Sequence, residues 1–220
     1  MNTKMIFKIC VDFAMTVILV LLMAFEMIGR NMHEWLGAAM FLLFMIHHYF
    51  NLYWIKNISK GNYTIQRKVQ NVLDLLIFFT ALGSMISGVA LSETVFSFVP
   101  ITGGTEFFRI MHMLSAYWGY ILISIHIGCH FSIFYSMVKK INSFSKLENK
   151  FRIFAFLSAI YGAYAFFKRG LIKYMFLRTH FVMFDFDEPV IFFLTDYVMI
   201  LWFFAYAGHN IMKKFKQIYV

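Results

Sequence analysis

Two histidine pairs share one spacing: His33 and His47 are fourteen residues apart, and so are His112 and His126. Each pair falls inside a long apolar segment. Fourteen residues rotate an α-helix by about 1400°, about 40° short of four full turns, so both members of a pair share a face. They stand roughly 21 Å apart along the helix, inside a bilayer core of ~30 Å. Neutral imidazole is a good iron ligand, and two imidazoles complete the coordination of haem iron and leave no open position. Two helices with this pattern could hold two stacked haems, one near each membrane face, each iron gripped by one histidine from each helix. A single membrane histidine is more simply explained by an interhelical hydrogen bond. Four at matched depth are harder to explain by packing.

Two neighbours leave the assignment open. His48 adjoins His47 and lies about 60° from His33 on the other side of the face, against about 40° for His47. His130 follows His126 by one turn and is nearly eclipsed with His112, but roughly 27 Å from it. The reading prefers His47 with His126 because the spacings agree. His48 or His130 is the alternate ligand. His130 could also bond a propionate or line a quinone pocket.

Composition dictates where such helices reside. Hydrophobic residues make up 61% of 220 positions, mean hydropathy is +0.69, and prolines number only two. Soluble domains sit nearer 45–50% apolar. The chain is one integral membrane domain, without room for a separate soluble catalytic domain. The net charge of +9 sits in short loops, where it sets topology, and does not indicate nucleic-acid binding. The 29 phenylalanines and 16 methionines suit the flanks of a large flat cofactor. No C-x-x-C-H is present, so covalent c-type attachment is excluded and any haem is held as in b-type cytochromes. Cys10 and Cys129 lie in spans and read as packing residues. The N-terminal apolar run lacks a small-residue cleavage site and reads as an uncleaved span.

Six spans can be drawn, at about 7–28, 32–55, 69–91, 107–138, 153–167 and 190–212, making the fold all-α. Loops on the N-terminal side hold Lys4, Lys8, Lys56, Lys60, Arg67, Lys68, Lys139, Lys140, Lys146, Lys150, Arg152, Lys213, Lys214 and Lys216. The other side holds Arg30, Arg109, Lys168, Arg169, Lys173 and Arg178. This bias predicts a multi-pass protein of the cytoplasmic membrane with both termini cytoplasmic. The second and fourth spans then run from outside to inside, with His33 and His112 at the outer face and His47 and His126 nearer the inner. The stretches 57–68 and 139–150 read as polar connectors.

Other residues are candidates around the histidines. Gly37, Gly83, Gly88, Gly119 and Gly128 could let a macrocycle or helix approach closely. Arg109 at the outer end, and Lys56 and Arg67 at the inner, are candidate propionate partners, with snorkelling as the plain alternative. Asp12 is an intramembrane carboxylate, read as pairing with Lys8 one turn away. His209, near Lys213, reads as interfacial. The segment 174–189, YMFLRTHFVMFDFDEP, reads as a lid or a partner-docking patch around Arg178 and His180, or as an interfacial aromatic segment.

At HEWLG (33–37), HH (47–48), RIMHMLSAYWG (109–119) and SIHIGCH (124–130), the chain resembles the flavinylation-associated cytochrome family, a membrane domain long catalogued without function. The resemblance covers roughly residues 5–138, and residues 174–189 are similar to the C-terminal half of a clostridial-type subgroup. It implies a four-helix cytochrome b-like domain at 1–138, with 139–220 as a two-helix extension. It implies two haem b held by His33, His47, His112 and His126, transmembrane or extracytoplasmic electron transfer, and a flavin-bearing redox partner. The chain has no flavin-binding domain of its own.

Three functions compete: a dihaem electron-transfer subunit; a quinol- or metal-reducing cytochrome with a site near Asp12 or His130; and a non-haem transporter using its histidines for metal or protons. The third predicts a broken helix or an acid–histidine pair at the midplane, and neither is evident in the sequence.

Overall fold

The computed structural model describes the backbone of residues 3–99, 101, 103–138, 142–185 and 187–217, and side chains except those of 133–138, 142–147, 216 and 217. The proposed division at 138/139 and the charges on Lys139, Lys140, Lys146 and Lys216 therefore fall at or outside the described residues.

The described chain is helical, without strands. α1 (Thr3–Leu22) leads through the short α2 (Phe25–Ile28) into α3 (Arg30–Phe50) and α4 (Leu52–Lys56). α5 (Ile65–Leu91), α6 (Thr105–Val138) and α7 (Asn142–Lys168) follow, then the short α8 (Leu171–Met175) and α9 (Val190–Gln217). Gly29, at φ 78°, turns the chain between α2 and α3, a backbone region that a side chain disfavours. Thr64 caps α5, its Oγ1 accepting the Arg67 N–H at 3.3 Å, which satisfies one otherwise orphaned donor.

α1, α5, α6, α7 and α9 contain stretches long and apolar enough to cross a membrane. α3 is not among them, so the expected six spans reduce to five by this measure. The cause is the chemistry of α3 itself: His33, Glu34, His47 and His48 sit among its apolar residues and lower its hydropathy. The fifth expected span, drawn as 153–167, is longer, reaching back to Glu148.

Cross-helix contacts fix the directions. Lys8 meets Asn51 and Phe25 meets His33, so α1 and α3 are antiparallel. Asp74 meets His126 and Ser87 meets His112, so α5 and α6 are antiparallel. Phe44 packs on Phe78 while Glu34 reaches Ser92, so α3 and α5 are antiparallel too. α3 and α6 therefore run parallel. Tyr120 bonds the Tyr197 carbonyl at 2.5 Å and Gly128 abuts Ala205, which makes α9 parallel to α6. The first and last described turns thus lie at one end of the bundle.

Glycine governs the closest helix crossings. A Cβ on Gly128 would fall on the Ala205 carbonyl, and one on Gly162 on the Met199 carbonyl. Only a bare backbone permits such approach, the usual way membrane helices gain dispersion contacts. Gly128→Ala is expected to push α6 and α9 apart and cost about 1–3 kcal/mol, read as a lower melting temperature in detergent. An unchanged midpoint would show that this contact is slack.

The buried core gathers toward the end carrying His33 and His112. Val20, Met23 and Ala24 of α1 meet Tyr117, Tyr120 and Ile121 of α6, with Leu171, Tyr174 and Met175 of α8 and Phe193, Tyr197 and Ile200 of α9. The 174–189 segment folds against this core. Tyr174 stacks on Tyr117 at 4.8 Å, Trp118 donates to the Met175 carbonyl at 2.8 Å, and Val182 and Phe184 pack beside them. Its far end is tied by Arg169, which grips Glu188 with two bonds of 2.6 Å. Those bonds hold the Glu188 carboxyl below its usual range. The tether therefore stays ionic until pH falls through that depressed value.

Candidate functional site

The first histidine pair meets across the parallel helices α3 and α6. The His33 and His112 rings lie 6.0 Å apart, centre to centre, at 68°. An imidazole nitrogen sits roughly 1 Å from its ring centre and about 2 Å from a bound metal, so two imidazoles opposite each other on one iron have centres about 6 Å apart. The spacing fits that geometry.

Neighbouring groups orient both rings. His112 Nδ1 lies 3.0 Å from the Ser87 hydroxyl and 3.2 Å from the Ser84 carbonyl. Gly88 faces the same ring, and a Cβ there would stand 3.7 Å from its Cε1. His33 packs edge-on against Phe25 at 5.0 Å. Its Nδ1 is buried without a well-directed hydrogen bond, a costly condition for a polar atom. Glu34, next along α3, fixes this end. Its carboxylate accepts from Ser92 Oγ at 2.7 Å and from the backbone N–H groups of Glu93, Thr94 and Val95 at 2.9–3.0 Å. The turn after α5 is thereby pinned to the start of α3. Arg30 also pairs with Glu93.

The second pair is built differently. His47 Nδ1 lies 2.7 Å from Asp12 Oδ1, and His126 Nδ1 lies 2.7 Å from Asp74 Oδ1. The second approach is close but off-angle, since Asp74 Oδ1 makes no well-directed hydrogen bond. His47 thus bonds a carboxylate through Nδ1, and His126 sets Nδ1 beside one, which leaves Nε2 of each for another partner, the arrangement common to metal-bound histidines. His47 Nε2 has a long contact of 3.4 Å with Asn51 Nδ2. Asp12 therefore serves His47 rather than Lys8, whose Nζ donates to Asn51 Oδ1 at 3.4 Å. The local i,i+4 pairing expected from sequence loses to a tertiary partner.

The alternates lie close by. His48 turns its Nδ1 to the Phe44 carbonyl of its own helix at 2.9 Å and packs on the Phe44 ring at 4.1 Å. The His130 ring is 4.7 Å from that of His126, within electrostatic reach of Asp74, Asp12 and His47. Among the described residues, no three His, Cys, Asp or Glu side chains converge as ligands for a bare metal ion. Two opposed histidines suit a metal whose remaining positions a macrocycle fills.

Residues expected around the histidines divide. Gly88 faces His112, while Gly83, Gly119 and Gly128 seat against Ser115, Thr80 and Ala205, and a Cβ on Gly37 would enter open space. Arg109 lines a cavity of about 410 Å³ with Thr105, Glu106, Ile110 and His180, which brings the 174–189 segment to the start of α6. Arg67 is engaged elsewhere, donating to the Asn57 carbonyl at 2.6 Å and lying over the Tyr63 ring. Lys56 ends α4. Cys10 and Cys129 are free thiols. His209 packs edge-on against Phe131 at 5.5 Å and, with Trp202, Arg152 and Lys213, lines a cavity of about 830 Å³ between α6, α7 and α9.

Two acids were missed from sequence. Asp74 lies within an apolar span just as Asp12 does, and the same argument marks it. Asp196, 1% exposed, lies inside the last span. It accepts from Tyr161 at 2.6 Å, Lys168 at 2.9 Å and Arg169 at 2.7 Å. Lys168 and Arg169, read from sequence as outer loop charges, are thus partners of a buried carboxylate.

Comparison of the chain with family models, curated proteins and solved structures finds no match.

Proposed function

We propose that this is a transmembrane b-type dihaem cytochrome, of the kind its resemblance to the flavinylation-associated cytochrome family implies. In this reading His33 and His112 hold one haem and His47 and His126 the other, and α3 crosses the membrane as a sixth span. The observation that carries it is the His33–His112 pair, 6.0 Å apart on parallel helices. The matched second pair, one spacing along each helix, supports it. Bound haem supplies reversible one-electron chemistry at iron. The protein's part is to hold two such sites roughly 21 Å apart along the bundle. Because both ligands at each site come from the chain, neither site leaves a position for substrate. The residues therefore relay electrons from a quinol or reductase on the cytoplasmic side to an extracytoplasmic partner such as a flavoprotein.

A second reading has its own observation. Acid–histidine pairs, expected of a non-haem transporter using its histidines for protons or metal, are present at Asp12–His47 and Asp74–His126. One feature favours the relay: the transporter reading gives His33 and His112 no task.

The purified protein is expected to carry two noncovalent haems per chain, released by acid–acetone and identified as haem b by its pyridine complex. A colourless protein would leave the transporter reading, and haem retained after extraction would reject b-type binding.

A further inference from the structure

The two histidine pairs differ in what stands behind them. His47 and His126 each set Nδ1 against a carboxylate at 2.7 Å, Asp12 for one and Asp74 for the other. His112 sets Nδ1 against neutral oxygens, the Ser87 hydroxyl and the Ser84 carbonyl, and His33 Nδ1 has no well-directed hydrogen bond. From this asymmetry we propose that Asp12 and Asp74 are positioning residues that make the His47–His126 site the lower-potential site, so that electrons move from it to the His33–His112 site.

The inference rests on the dihaem reading above. A histidine that binds iron through Nε2 carries its proton on Nδ1. Asp12, accepting that proton from His47, gives the ring partial imidazolate character and makes it a stronger donor to iron, while Asp74, 2.7 Å from His126 Nδ1 but off-angle, acts through its charge. Ferric haem carries one more positive charge than ferrous, so two nearby carboxylates in a low-dielectric slab favour the oxidised state. Potential falls at that site for both reasons. A hydroxyl and a carbonyl polarise His112 far less. Glu34 also places negative charge near His33, but its carboxylate faces four donors at the 92–95 turn and accepts no proton from the His33 ring, so only the charge effect acts there.

The direction of transfer follows. With haem held at both sites, an electron would pass from the His47–His126 site to the His33–His112 site, oxidising the first and reducing the second, without atom transfer. The donor is a quinol or reductase at the end where α1 begins, and the acceptor a one-electron partner at the other end.

The test is a spectroelectrochemical titration of the intact holoprotein, with low-spin EPR of each haem. Wild type is expected to titrate in two waves. Asp12→Asn keeps the shape of a side chain already 55% exposed, so the fold should tolerate it. It should shift the lower wave upward and alter one EPR signal, leaving the upper wave and the other signal in place. Asp74→Asn should do the same, and the double variant should bring the waves closest together. Asp12→Glu should restore most of the separation. An unmoved lower wave in Asp12→Asn, or a shift confined to the upper wave, overturns the proposal even with two haems bound. If Asp74→Asn does not fold, Asp12→Asn decides alone. Wild-type protein without two haems fails the dihaem reading instead, and this inference falls with it.

Discussion

Replacing His112 with alanine is expected to halve the haem content and abolish electron transfer across a bilayer. His112 faces His33 at 6.0 Å, and its Nδ1 is already held by Ser84 and Ser87. In the dihaem reading, alanine removes one of the two histidines of this site and leaves a void that His33 alone cannot bridge. His33→Ala should do the same from the other side. The remaining pair then sits at one depth, leaving roughly 21 Å of helix without a redox group. Haem per protein, by pyridine complex, should fall from two to one. In liposomes with oxidant trapped inside and impermeant reductant outside, wild type should carry electrons inward and the variant should not. Retention of two haems in His112→Ala would remove this histidine from the site. The same assay ranks the second pair. If His48→Ala loses a haem while His47→Ala keeps both, the ligand is His48.

Asp196→Ala is expected to destabilise the protein by about 3 kcal/mol, through charges left without their counterion. Asp196 is 1% exposed and accepts from Tyr161, Lys168 and Arg169. The figure sits at the low end for a broken buried pair because Arg169 keeps Glu188 and the Lys168 side chain is 40% exposed. The loss should appear as a lower melting temperature in detergent and as faster proteolysis of the 174–189 segment, whose end Arg169 tethers. Its haem content should match wild type, since Asp196 serves α7 and α9 rather than α3. Equal stability would mean that the cations find water once the acid is gone.

Sequence revealed the helices more fully than their partners. Apolar run length located the long helices among the described residues, although the runs drawn at 7–28 and 32–55 break at 23–24 and at Asn51, and α1, α5 and α7 begin earlier than drawn. The fourteen-residue spacing marked four histidines, and the fold brings His33 to His112. Pairings that depend on helix rotation were not legible. Asp12 could be matched only to Lys8, its neighbour along the chain, whereas the packing of α1 on α3 delivers it to His47. Asp74, like Asp12, is legible in the sequence as an acid inside a span, but its role appears only when α6 turns His126 toward it. Glu34 looked like one letter of a motif. Its service as an acceptor for the turn after α5 joins residues about sixty apart in sequence.

Both acid–histidine pairs join helices that follow one another in the chain: α1 with α3, and α5 with α6. A carboxylate entering hydrocarbon without a partner is costly. Each helical hairpin therefore brings a histidine close to its own acid, so that neither acid need enter the bilayer alone. The His33–His112 meeting, by contrast, joins one hairpin to the other and must wait until both have inserted. The contacts that serve these two acids are thus local to a hairpin, whereas the histidine contact is made between hairpins.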